Sequence, residues 1–323
     1  MKKTLAASKL GLISISIALV SGMTAAAIPN ELKLDYAYYA PTSLVVKEQK
    51  LLEKALPKTQ VKWVFSQGSN RSLEYLNSGS VDFASTAGLA AVLSRANGSP
   101  IKTVYVQSQP EWTALLVAKD SPIKTLKDLK GKKIAATKGT DPFLFTLQAL
   151  DTVGLSKRDV QLVHLQHPDG KTALERKQVD AWAGLDPLMA SAQVQSGAKL
   201  LYRNVGFNSY SVLSVKENFA KQSPEAIEAV IKAYEQARKW AKANPDKLAE
   251  LLAREAKLPL NVAKLQLSRT NLDQNIPNAK HISVLQKAGK TLTEEDLVRK
   301  GTNVNQVVSQ LFDAKYAQKV VGK

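Results

Sequence analysis

Apolar and polar positions along this chain switch repeatedly between a period of two and a helical period. Leu32-Lys33-Leu34-Asp35-Tyr36 alternates as a first strand. The turn-rich Tyr38-Tyr39-Ala40-Pro41-Thr42-Ser43 leads into a predicted helix from Ser43 to Leu56, and Val61 to Phe65 is a second strand. The polar loop Gln67-Gly68-Ser69-Asn70 comes next, with Ser69 or Asn70 placed to cap a helix carrying Leu73 and Leu76. Gly79 stops that helix and Val81 to Ala84 reads as a buried strand. Ser85-Thr86-Ala87-Gly88 then opens a helix to Arg95, closed by Asn97-Gly98. Ile101 to Val106 is another strand, and Gln107-Ser108-Gln109-Pro110 breaks it at an expected crossing into a second lobe.

The second lobe is predicted to hold strands over Trp112 to Val117, Lys133 to Ala136, Val160 to Leu165 and Val179 to Ala183. Thr125-Leu126-Lys127-Asp128 has capping-box spacing. Lys138-Gly139-Thr140-Asp141-Pro142 leads into a helix from Phe143 to Val153, and Gly184-Leu185-Asp186-Pro187 opens another. Tyr210 to Val215 reads as the return crossing. Beyond Ser223-Pro224 the pattern is helical, with Ile227, Val230, Ile231, Tyr234, Ala237 and Ala241 on one stripe. Further helices over 245–254, 261–267, 282–288 and 304–315 are expected to pack on the first lobe.

The chain repeats itself. Leu174 to Gly184 reproduces the leucine, the step to Val-Asp and the strand-to-turn exit seen around Leu76 to Gly88, and Gln67 and Gln166 fall in equivalent places. Two similar α/β lobes facing each other enclose a cleft, which is where a ligand is expected.

Composition changes this picture at three points. Lys2, Lys3 and Lys9, the apolar run Leu10 to Val20 and Ala25-Ala26-Ala27 read as a cleavable secretory leader, the run being too short to span a bilayer. The chain has no cysteine, which removes thiol chemistry and a lipid-anchor cysteine and points to a freely diffusing periplasmic protein. The formal charge of +17 raises the question of nucleic acid, but the lysines are spread among acids with no long basic block, so a solvated basic surface is the reading.

The segment Ser121-Pro122-Ile123-Lys124-Thr125-Leu126-Lys127-Asp128-Leu129-Lys130-Gly131-Lys132 resembles one found in periplasmic substrate-binding proteins of ABC importers. Gly79-Ser80-Val81-Asp82-Phe83, Lys138-Gly139-Thr140 and Val179-Asp180-Ala181-Trp182 with Asp186-Pro187 resemble the branch for aliphatic sulfonates, taurine and nitrate. The resemblance implies a two-lobed α/β fold of the type II periplasmic-binding-protein class, each lobe a mixed sheet flanked by helices, with two crossing segments. It divides the chain into a leader (1–27), one lobe (28–108 with 216–323) and a second lobe (109–215). It implies capture of a small organic sulfonate, an alkanesulfonate or taurine, and delivery to an inner-membrane permease with its ATPase. A monomer is expected, not embedded in the membrane, with no cofactor and no nucleic acid. The alternatives are a receptor for nitrate or another small anion, or an enzyme of the same fold acting on a heterocycle precursor. The chain departs from relatives in having Gly184-Leu185 where many carry an aromatic before Asp-Pro.

Three helix starts should face the cleft: Ser85-Thr86, Thr140-Asp141 with Gly139, and Gly184-Leu185-Asp186. Each would offer unpaired N–H groups and a positive dipole end to an oxyanion. Asp141 and Asp186 each precede proline, a common helix-capping device, but a carboxylate in the cleft would suit a ligand that also carries an amine. Tyr39, Trp112 and Tyr210 are candidate walls for the carbon chain, Gln109 is a candidate donor, and Pro41, Gly68 and Ser69, in the loops around them, are further candidate ligand contacts. Asp82 and Asp180 are expected to satisfy backbone groups. His164, His167 and His281, the only histidines, lack the spacing of a helical zinc pair.

Overall fold

The computed structural model describes residues 28–322. The leader therefore lies outside the described residues. In chain order, β1 (Glu31–Tyr36) is followed by α1 (Pro41–Glu48), α2 (Leu51–Ala55), β2 (Gln60–Phe65), α3 (Ser69–Ser78), β3 (Phe83–Ala87), α4 (Gly88–Ala96) and β4 (Ile101–Pro110). Then come β5 (Leu115–Val117), β6 (Lys133–Ala135), α5 (Asp141–Asp151), β7 (Gln161–Val163), α6 (His167–Glu175), β8 (Ala181–Ala183), α7 (Leu188–Gln195) and β9 (Lys199–Tyr202). The rest is β10 (Ser211–Lys216), α8 (Glu217–Gln222), α9 (Pro224–Ala243), α10 (Pro245–Ala256), α11 (Leu260–Leu267), β11 (Thr270–Asn271), α12 (Ala279–Glu294), α13 (Val304–Leu311) and α14 (Lys315–Val321).

The strands form two mixed sheets, β11-β4-β10-β3-β1-β2 and β7-β6-β8-β5-β9. The internal repeat survives in the topology. In the first sheet β1 lies parallel to both β2 and β3, and in the second β6 lies parallel to both β7 and β8. The two Val-Asp steps do the same work. The Asp82 carboxylate accepts the Lys33 N–H at 2.9 Å, and that of Asp180 accepts the Lys133 N–H at 2.8 Å. Each aspartate returns its own N–H to the same lysine's carbonyl. The expectation for these two acids is met. The Thr125–Asp128 capping box is present too.

Three of the boundaries that differ from the sequence reading bear on how the lobes meet. β3 extends to Ala87, so Ser85 and Thr86 are strand residues rather than a helix start. The reason is β10, whose antiparallel ladder pairs Leu213 with Ser85 and Val212 with Thr86. β4 runs through Gln107 to Pro110, because β10 covers one edge and the short β11 pairs with its end on the other. The segment read as a return crossing is β10 itself, a strand of the first sheet from Ser211. These pairings join residues more than a hundred positions apart, which local pattern cannot reveal.

The α9 stripe is buried as expected, with Ile227, Val230, Ile231, Tyr234, Ala237 and Ala241 all facing the first sheet's core. Each valine or isoleucine side chain there contributes about 1.5–3 kcal/mol by leaving water. A second apolar cluster runs across the interface between the lobes. It joins Tyr39, Ala87 and Leu89 beside the six-stranded sheet with Trp112, Phe143 and Leu147 beside the other. The lobes are therefore packed against each other, and the cleft is closed around what space remains.

Candidate functional site

The space that remains is a cavity of about 180 Å³ between the lobes. From the six-stranded side it is lined by Tyr38, Tyr39, Phe65, Ser66 and Leu258, and from the five-stranded side by His167, Leu185, Asp186 and Leu188. These positions follow from the repeat. Ser66 and Gln67 directly follow β2, and His167 follows the equivalent strand β7 at the start of α6. The two loops meet at Gly68. A Cβ there would lie 2.9 Å from the His167 ring, so the glycine permits the approach of the lobes. Its φ of −178° is ordinary extended backbone. The close approach, not the backbone conformation, is what calls for glycine.

His167 is fully buried, and its protonation is dictated by Thr137. The Thr137 hydroxyl gives its only proton to the Leu165 carbonyl at 2.7 Å, so toward the imidazole 3.1 Å away it can only accept. Nδ1 therefore carries the hydrogen and Nε2 is a bare acceptor without a partner. Burial pushes the group down to about 3, which keeps the ring neutral.

Asp186 puts a carboxylate at the cavity wall with both oxygens engaged. One accepts the Ala190 N–H at 2.8 Å, and the other faces Arg269 Nη1 at 3.3 Å. Burial raises its carboxyl to about 6 despite the opposing pull of Arg269. Asp141 lies further along the interface. One of its oxygens accepts from Trp112 Nε1 at 3.3 Å, from the Ser209 N–H at 2.9 Å and from the Ser209 hydroxyl at 2.6 Å. Its other oxygen has no partner, and burial raises this carboxyl also to about 6. Asp141 is thus the first residue of α5 behind a Thr140 cap, and its side chain ties segments together instead of capping the helix.

The expected anion-binding helix starts are largely spent. At the start of α4 the Gly88 N–H goes to the Tyr210 carbonyl at 2.8 Å and the Leu89 N–H to the Ser209 hydroxyl at 3.2 Å. Thr140 donates to the Thr137 carbonyl at 2.6 Å. Ser69 does not cap α3; its hydroxyl accepts the Ala87 N–H at 2.8 Å. Ser85 and Thr86 keep unpartnered hydroxyls on β3, as does Tyr210 at the entry to β10. Tyr39 donates to the Ser85 carbonyl at 2.8 Å and meets Trp112 edge-on. Tyr39 and Asp186 line the cavity, and Gly68 and Trp112 stand next to it through His167 and Tyr39. Pro41 is buried in the first turn of α1, Gly139 takes a φ of +79° before α5, and Gln109 sits on β4 opposite Asn271. No group of three or more metal-ligating side chains occurs among the described residues.

A family model described as NMT1/THI5 like matches residues 59–248. The chain belongs to that family. Two bacterial relatives are named "Putative aliphatic sulfonates-binding protein". That of Escherichia coli (strain K12) is 30% identical over 303 residues, 93% of this chain and 94% of the relative. That of Bacillus subtilis (strain 168) is 29% identical over 277 residues, 84% and 83% of the two chains. Among solved structures, the alkanesulfonate-binding protein SsuA from Xanthomonas axonopodis pv. citri, bound to MOPS, superimposes with a TM-score of 0.82. It shares 26% identity and covers 89% of this chain and 99% of its own. The periplasmic aliphatic sulphonate binding protein SsuA from Escherichia coli gives 0.75 at 29% identity, covering 86% and 92%. These relatives carry the names of binding proteins, and the two mixed sheets flanked by helices are the fold they share with this chain.

In this NMT1/THI5-like chain, sequence reasoning missed Arg269, Ser66, Phe65 and Leu258, and set His167 aside. Arg269 meets Asp186 across 83 positions with no local signal. Ser66 adjoined the loop already singled out, so the strand-to-loop exit was the clue that could have found it.

Proposed function

We propose that this chain is the periplasmic solute receptor of an ABC import system, capturing a small organic sulfonate between its lobes. The carrying observation is full-length similarity, at 26–30% identity, to proteins named for binding aliphatic sulfonates, combined with an interlobe cavity in this chain. Ligand selects the closed state, and the closed state is what the inner-membrane permease and its ATPase would engage. Export through a leader cleaved after Ala27 follows from the composition of the first 27 residues. Among the described residues no helix is long and apolar enough to cross a membrane. Sheet membership supports a lobe division near residues 110 and 210, with 211–215 joining the first lobe rather than the second.

Ligand contact is assigned to Tyr39, Gly68, Trp112 and Asp186 at or beside the cavity, with Ser66 and His167 added. Asp141 and Tyr210 lie along the packed interface and act by shaping it, while Ser85 and Thr86, buried in β3, and Thr140, bonded to Thr137, are given no ligand contact. The test is calorimetry and thermal shift on the purified mature protein with alkanesulfonates, taurine, nitrate and sulfate. A ligand at a hundredfold excess over its Kd should add about 2.7 kcal/mol of stability. Response to nitrate or sulfate alone would overturn the sulfonate reading. Recovery of a chemically altered ligand would overturn the receptor reading in favour of an enzyme.

A further inference from the structure

The cavity walls hold one carboxylate, Asp186, and no lysine or arginine; the remainder is aromatic, aliphatic or neutral polar. A carboxylate so placed, buried to 2% exposure, would ordinarily read a cation on the ligand. Here a cation is already supplied. Arg269 reaches Asp186 from the six-stranded lobe, and its second terminal nitrogen donates to Gln193 Oε1 on α7. The Arg269 side chain is itself only 9% exposed. Its backbone is fixed as well: the Arg269 carbonyl accepts the Glu111 N–H at 2.8 Å, and the next residue, Thr270, pairs with Pro110 on β4. Each Asp186 oxygen already accepts one bond, from the Ala190 N–H and from Arg269, and the adjoining guanidinium offsets the negative charge that a ligand ammonium would otherwise meet. The guanidinium a few ångströms behind would also repel one.

We propose that Arg269 determines which sulfonates this receptor takes: by holding Asp186 it makes the cavity read the ligand's tail as uncharged. Alkyl and aryl sulfonates are the accepted class, and sulfonates with an ammonium on the tail are discriminated against. The walls agree with this. Phe65 and Leu258 on one side and Leu185 and Leu188 on the other offer hydrocarbon contact along the cavity. The inference rests on the sulfonate reading of the preceding subsection and adds to it the residue that sets specificity. Arg269 acts through Asp186, so it is a positioning residue and not a ligand contact.

The experiment compares ethanesulfonate with taurine, which differ by the amine alone, by calorimetry on the mature protein and on Arg269→Gln. The wild type should bind ethanesulfonate about tenfold or more tightly than taurine, and in Arg269→Gln that ratio should move about tenfold toward taurine. Adding Asp186→Asn to Arg269→Gln should return the ratio to the wild-type value. If Arg269→Gln does not fold, Asp186→Asn alone frees the guanidinium. Preference should then shift by about tenfold toward a sulfonate with a carboxylate tail, 3-sulfopropanoate, over its uncharged counterpart. Equal weakening of both ligands in Arg269→Gln, or a wild type that binds taurine as tightly as ethanesulfonate, overturns the role of Arg269 while leaving the receptor standing. Failure of the wild type to bind any sulfonate overturns the receptor reading and this inference together.

Discussion

The same dipeptide, Asp-Pro, opens a helix twice in the five-stranded lobe, and its two copies have different fates. Asp186 is held by one backbone N–H and a cation from the opposite lobe. Asp141 is held only by neutral donors, the Trp112 indole and the Ser209 amide and hydroxyl, and keeps one oxygen unpartnered. Both carboxyls are pushed up to about 6 by burial. The difference lies in what removing each would expose. Without Asp186 a guanidinium is stranded in the interface, whereas without Asp141 only neutral donors are. The lesson is that a carboxylate's place in sequence does not say whether it reads a ligand, ties two lobes or caps a helix. The donors that tertiary structure brings to it decide that.

The comparison is most easily broken by truncation. Asp186→Ala should cost about 3–5 kcal/mol of unfolding free energy because a buried cation loses its partner. Asp141→Ala should cost less, since stranding neutral donors costs about 1–3 kcal/mol. Urea unfolding of both variants measures the gap, and equal losses would mean that the ion pair is not what separates them.

Titration sharpens the difference further. The native Asp141 carboxyl, near 6, holds its proton more tightly than the unfolded one at its usual 3.8, so the native state binds the extra proton between these values. Stability should therefore fall as pH rises from about 4 to 6 and level off above, by on the order of 1–3 kcal/mol for this one group. Asp35 and Asp186 share the direction, so the contribution of Asp141 is read as the wild-type slope minus that of Asp141→Asn. Parallel slopes would show that the group is not raised.

Closure itself is tested at Gly68. Gly68→Ala should fold normally, since its extended backbone suits alanine, but the added methyl meets the His167 ring across the cleft. Ligand affinity should drop about tenfold with little change in the unfolding midpoint, and an unchanged affinity would mean that the lobes do not close onto Gly68 when ligand is bound. The smallest effect belongs to Tyr39→Phe. Losing its hydrogen bond to the Ser85 carbonyl should cost about 1 kcal/mol in urea unfolding, and no loss would mean that water replaces the hydroxyl.

The regular elements were legible because their causes are local. Alternation at Leu32 to Tyr36, the stripe from Ile227 to Ala241, the stop at Gly79 and the Thr125 capping box each depend on residues within a few positions of one another. The two-lobe architecture was legible for a related reason, because a duplicated unit writes the same local pattern twice, down to the paired roles of Asp82 and Asp180. The site was less so. Ser85 and Thr86 read as a helix start until β10, more than a hundred residues away, claimed them for a strand.

The sequence by itself determined the elements, the duplication and the presence of two acids before proline. Only the tertiary structure decided that Arg269 faces Asp186, that His167 points a bare nitrogen at Gly68, and that the α4 start is already filled by Tyr210 and Ser209. The physical reason is range. Helix and strand formation is governed by neighbours along the chain, while burial, charge pairing and the filling of hydrogen bonds are governed by neighbours in space.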